Sequence, residues 1–218
     1  MSLDASFDIK NIICIFLYDL NDTINLYNLN KDHQINIRII NLYDIPTKYI
    51  KRLNQQIIEQ NKYRYVEKIN ACNNNQIKNV NHMKKTLKKL HCNYISGINQ
   101  DGISELNLIE LNAWNNEKIK NVNHMKNALK KLDCGRECGI DQNGISELNL
   151  IQLNAKNNKK ITNVNHMKNT IKILDCGLNS GIDQKGISQL NLIKLNADKN
   201  KKIENVNHMK NTRVAART

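Results

Sequence analysis

The sequence predicts an α/β solenoid of short stacked units, with a parallel sheet along the concave face and 3₁₀ or single-turn helices along the convex face. A small helical module precedes it. Three observations predict this class. The tetrad Val-Asn-His-Met begins at Val80, Val122, Val164 and Val206, a constant step of 42 residues, and a fixed period marks one supersecondary unit copied and stacked. Within that step apolar residues fall twice in one arrangement. Leu150, Leu153, Ala155, Ile161, Val164 and Met167 are followed by Ile171, Leu174, Cys176, Ile182, Ile187 and Leu190, so the half-unit is 21 residues long. So short a turn of chain leaves room for a strand and little more, since each turn of α-helix alone takes 3.6 residues.

The elements follow in chain order. Residues 1–35 carry Phe7, Ile9, Ile12, Ile13, Phe16, Leu17, Leu20, Ile24, Leu26 and Leu29, interrupted at Asn21-Asp22, as two or three short helices with a polar cap would. Residues 36–65 read as a longer first unit that covers the end of the sheet. Ile37, Ile40 and Leu42 give its strand, and Pro46 opens a helix from Thr47 to about Gln60 on the apolar spacing of Ile50, Leu53, Ile57 and Ile58.

Residues 66–212 form the array, with half-units opening at Val66, Leu87, Leu108, Leu129, Leu150, Ile171 and Leu192. No half-unit can bury its apolar side alone, so its neighbours must supply the core. Asn74, Asn116, Asn158 and Asn200 recur where the chain leaves the strand, and an amide there can satisfy backbone groups freed by the turn. Gly102, Gly144 and Gly186 recur before Ile103, Ile145 and Ile187, where a left-handed turn residue is expected. Residues 213–218 break the pattern: Arg213 and Ala216 stand where Leu should open the next unit. They predict an irregular tail and an uncapped end, which a partner or another copy covers unless the array is a shortened form of a longer one.

The arrangement LxxLx(A)xxNxxIxxVxxM resembles leucine-rich repeats over the whole of residues 66–212. The segment Ile12-Ile-Cys-Ile-Phe-Leu-Tyr-Asp-Leu-Asn-Asp-Thr-Ile-Asn-Leu-Tyr-Asn-Leu-Asn-Lys31 resembles an F-box, although Ser6-Phe7 replaces the usual Leu-Pro opening and no Trp closes the box. The combination is similar to the F-box/leucine-rich-repeat proteins of giant DNA viruses of amoebae. The resemblance implies that the helical module docks on a Skp1-type adaptor of a cullin-based ubiquitin ligase while the repeats choose the target. The adaptor-facing positions it implies are Ile13, Phe16, Leu17, Ile24 and Leu26. A plain interaction scaffold with a helical cap is the alternative.

Composition narrows the partners. Lys and Arg number 33 against 20 Asp and Glu, a net charge of +13, which favours acidic partners. The cations are dispersed and aromatics make up 5% of the chain, whereas nucleic-acid surfaces interleave the two. A protein partner is therefore expected over nucleic acid. The longest apolar run, Ile12 to Tyr18, is too short for a membrane span and follows acidic residues rather than a basic leader. Six cysteines without a CxxC pair read as reduced thiols of a cytoplasmic or nuclear protein.

No motif for catalysis, cofactor or metal stands out. His82, His124, His166 and His208 recur every 42 residues, hence two strands or ~10 Å apart, too far to share an ion. Cys92, Cys134 and Cys176 fall on inward positions as small core residues. The outer lysines, among them Lys84, Lys118, Lys126, Lys160, Lys168 and Lys202, read as a solvated stripe. The concave face offers Lys89, Tyr94, Glu110, Trp114, Lys131, Arg136 and Lys156 for a partner. Trp114 is the one Trp, at a position its repeat equivalents fill with Cys72, Lys156 and Asp198, and Trp is enriched in binding hot spots.

Overall fold

The computed structural model describes residues 39–45 and 47–215. The F-box-like segment, with Ile13, Phe16, Leu17, Ile24 and Leu26, lies outside them. The described chain forms one parallel sheet whose strands follow in sequence order from β1 to β9. These are β1 (Asn41–Leu42), β2 (Lys68–Asn70), β3 (Lys89–His91), β4 (Glu110–Asn112), β5 (Lys131–Asp133), β6 (Gln152–Asn154), β7 (Ile173–Asp175), β8 (Lys194–Asn196) and β9 (Arg213–Val214). From β2 to β8 every pair keeps the 21-residue offset, as in Leu90↔Leu111 and Leu153↔Leu174. Alternation puts Ile69, Leu90, Leu111, Leu132, Leu153, Leu174 and Leu195 inside and their flanking residues outside.

Behind the sheet one apolar core runs unbroken from Ile39 to Met209. Its other wall is a series of 3₁₀ turns, such as Asn123–Met125 and Asn143–Ile145. Each inward Leu or Ile gains roughly 1.5–3 kcal/mol on burial, and only stacking achieves that burial.

Four details differ from the sequence reading. In the first unit Leu42 pairs with Ile69 and Ile39 is buried, so Ile39 rather than Ile40 joins Leu42 in the core, and Ile37 lies outside the described residues. The expected long helix is two, α1 (Thr47–Ile50) and α2 (Gln55–Ile58). Asn54 divides them, because its Oδ1 accepts the Ile57 N–H at 2.9 Å and starts α2 afresh. The tail is not wholly irregular: Arg213 pairs with Lys194 and Val214 with Leu195. This early pairing adds a ninth, exposed strand.

The glycines also act differently. None has positive φ; the left-handed positions are Asn73, Tyr94, Asn115, Arg136, Asn157, Leu178 and Lys199. Gly144 is needed because a Cβ there would stand 2.1 Å from the Lys120 carbonyl oxygen of the preceding half-unit.

Candidate functional site

Amides join the half-units and so hold the open sheet face in place. Asn116 Nδ2 donates to the Cys92 and Ile98 carbonyls at 2.7 and 3.1 Å, and its Oδ1 accepts the Lys118 N–H. Asn74, Asn158 and Asn200 repeat this pattern. A second ladder was not foreseen. Gln142 Oε1 accepts the Thr162 and Asn163 N–H groups while its Nε2 donates to the Asn163 carbonyl, and Gln55, Gln100 and Gln184 do the same. The recurrence of Gln100, Gln142 and Gln184 every 42 residues was the signal.

The recurrent side chains on the convex side are engaged locally. His82, His124, His166 and His208 each set Nε2 3.0–3.2 Å from a carbonyl of the unit before. Lys118, Lys160 and Lys202 reach the Ser96, Cys138 and Ser180 carbonyls. Lys84 and Lys126 pair with Glu105 and Glu147, and Lys168 with Gln189. The expected solvated stripe is exposed, with the Lys84 and Lys126 side chains at 50% and 49%, and its lysines also tie unit to unit. Cys92, Cys134 and Cys176 are fully buried, and burial pushes their thiols upward, Cys176 to about 12. Among the described residues no three His, Cys, Asp or Glu side chains gather as a metal site, and no helix is long and apolar enough to cross a membrane.

On the open face two groups form. In the first, Lys89 Nζ lies 2.9 Å from Glu110 Oε1 and 4.1 Å from the centre of the Tyr43 ring. Tyr43 meets the His91 ring edge-on at 4.6 Å, with its hydroxyl 3.1 Å from Nε2, and Glu110 Oε1 is 3.6 Å from that nitrogen. Burial and the Lys89 charge lower the His91 pKa. Burial works to raise Glu110, but the Lys89 hydrogen bond and charge, with help from His91 and Lys131, hold it below the usual carboxylate range. A depression of about 170 Å³ beside this group is lined by His91, Glu110, Lys131, Asp133, Gln152 and Asn154.

Asp133 lines that depression. It accepts the Gly135 N–H and the Asn154 amide at 3.3 and 3.1 Å. Burial, reinforced by Asp175, nevertheless raises its pKa to about 6. Asp175 takes Gly177 and Asn196 in the same way.

The second group lies at the C-terminal ends of the strands. Trp114 is half-buried, and a Cβ on Gly135 would stand 2.2 Å from its ring, so the indole packs closely against that glycine. Tyr94, 43% exposed, donates its N–H to the Trp114 carbonyl, and Arg136 donates to that of Lys156. Of the seven residues expected on this face, Lys89, Glu110 and Lys131 thus share the first group. Tyr94 with Trp114, and Arg136 with Lys156, are joined through their backbones at the strand ends. Tyr43 was missed because it belongs to the aperiodic first unit.

No protein-family model matches the chain, and no curated protein does. Among solved structures it is similar to a chain of the crystal structure of the Rad7 and Elc1 complex in yeast, with a TM-score of 0.50 and 17% identity over 77% of this chain and 45% of that one. This chain thus spans less than half the length of that protein, and at such identity the likeness concerns the fold. The fold is a leucine-rich-repeat solenoid. The comparisons add nothing to the viral resemblance of the N-terminal segment. The two groups lie on the open face of the leucine-rich-repeat sheet.

Proposed function

We propose that this leucine-rich-repeat chain is a non-catalytic adaptor of an intracellular ubiquitin ligase. The open sheet face holds a target protein, and the N-terminal segment docks on a Skp1-type subunit. The observation that carries the reading is the break in repetition. In an array whose units are near copies, Tyr43, His91, Glu110 and Trp114 gather on one surface where their repeat equivalents are mostly small or polar. Tyr43 and Trp114, with charged side chains on the same face, give it the composition of a binding hot spot. A protein fits better than nucleic acid, since many convex-side lysines already serve carbonyls and carboxylates. The ligase half is supported by the F-box resemblance of residues 12–31. The similar yeast structure is a complex with a second protein, Elc1, which accords with a protein partner for this fold. Residence in the cytoplasm or nucleus accords with buried thiols free of disulfides.

Affinity purification of the full chain from a eukaryotic lysate, followed by mass spectrometry, tests both halves. A Skp1-type protein and a target are expected together. Ile13→Asp with Leu17→Asp should release the first and keep the second. Trp114→Ala with Lys131→Glu should do the reverse. Recovery of a target with no adaptor would make the chain a scaffold with a helical cap.

A further inference from the structure

The opposite edge of the sheet carries a pattern that the proposed function does not use. Immediately before each strand stands one residue whose N–H donates to the carbonyl of its counterpart in the unit before. Lys88, Ile109, Lys130, Ile151, Lys172 and Ile193 are joined in this way at 2.8–2.9 Å, rung after rung. After Glu67 before β2, the row therefore alternates cation and aliphatic side chain once per strand from β3 to β8. Its isoleucines face water: Ile109 is 47%, Ile151 44% and Ile193 59% exposed. A lone exposed isoleucine needs no occupant, but three in line along one margin, each beside a lysine, form an exposed apolar row of the kind that marks an interaction site. Near β8 and β9 the adjacent row on the open face adds Lys194 and Arg213, so that end of the margin is basic.

We infer that this margin binds an acidic amphipathic α-helix laid across the strands. The spacing selects the helix. Strands stand ~4.8 Å apart, so successive isoleucines recur at ~9.6 Å with a lysine midway. Seven residues of α-helix rise ~10.5 Å, and positions i, i+3 or i+4, and i+7 share one face. A helix with an apolar residue at every seventh position and Glu or Asp halfway between meets both members of the alternation. An extended strand advances ~3.3 Å per residue and would turn alternate contacts away. A polyproline helix repeats at about 9.3 Å but has no residue at the midpoint to meet the lysines. Edge pairing is also closed, since the Lys88, Ile109, Lys130, Ile151 and Lys172 carbonyls already accept from the next unit.

The probe is a fluorescent peptide of about three heptads, with Leu once per heptad and Glu three and four residues later. Its anisotropy is followed on adding the full chain. Saturable binding is expected, with a loss of at least about tenfold on Ile151→Asp and a similar loss on Lys130→Glu. Glu→Lys at the facing peptide position should recover the second loss. Trp114→Ala should leave binding intact, which separates this margin from the target surface proposed above. The inference is overturned if a scrambled peptide of equal charge, a Pro-rich acidic peptide or RNA binds as well. It is also overturned if Ile151→Asp leaves the affinity unchanged.

Discussion

Asn158 shows how much rests on single side chains in a repeat. It is 1% exposed, and its amide makes two hydrogen bonds to carbonyls of the preceding unit and accepts one from Lys160. Asn158→Ala leaves those groups buried and unpaired, at a cost of about 2–4 kcal/mol, which urea unfolding should register. Asp133 works in the other direction. Its pKa is about 6 against an ordinary 3.8, so the folded state holds its proton more tightly than the unfolded chain. Stability from this group is greatest below pH 3.8 and is lost as pH rises through 6. Relative to Asp133→Asn, the wild-type chain should therefore lose about 1–2 kcal/mol between pH 4 and pH 7, the full shift being discounted for partial exposure. Unfolding curves of both proteins at the two values measure it. Equal pH dependence would mean that Asp133 is ionised as freely as in water.

At the scale of elements, close approach between units decides the geometry. Gly102, Gly144 and Gly186 let each 3₁₀ turn sit against the backbone of the unit before it. Gly144→Ala should cost about 1–3 kcal/mol, because neither the Lys120 carbonyl nor the turn can move without opening the stack. Thermal unfolding would show the loss, and Ala at the exposed Asn143 serves as a control for helix propensity. The division of α1 from α2 belongs to this scale too. Apolar spacing alone suggested one helix, but an N-cap at Asn54 is a local contest that spacing does not register.

For the whole molecule, the two kinds of half-unit are not interchangeable. One kind carries Gly144 and the Gln142 cradle; the other presents Lys120, Thr162 and Asn163 to them. Deleting residues 129–170 removes one of each kind and restores every interface. The shortened chain should fold cooperatively with reduced stability. Deleting residues 129–149 removes one kind and brings Asn165 to the place of Gly144, against the Lys120 carbonyl, with no glutamine to receive the next turn. That chain should be far less stable although it is longer. Circular dichroism melts of the two deletions compare them directly, and equal melting would refute the idea of paired units.

The sequence by itself determined the period, the inward residues from Ile69 to Leu195, the parallel strands and the absence of long helices in the array. These follow from spacing within one half-unit, and copying the unit makes that spacing conspicuous. Tertiary structure decided what depends on distances between units. It showed that the glycines serve contact rather than a left-handed turn, and that glutamines as well as asparagines tie the turns. It also paired Arg213 early enough to give a ninth strand. Tyr43 and His91, 48 positions apart, came together for the same reason: a local pattern says which side of a unit a residue occupies, but only the completed stack says what it touches.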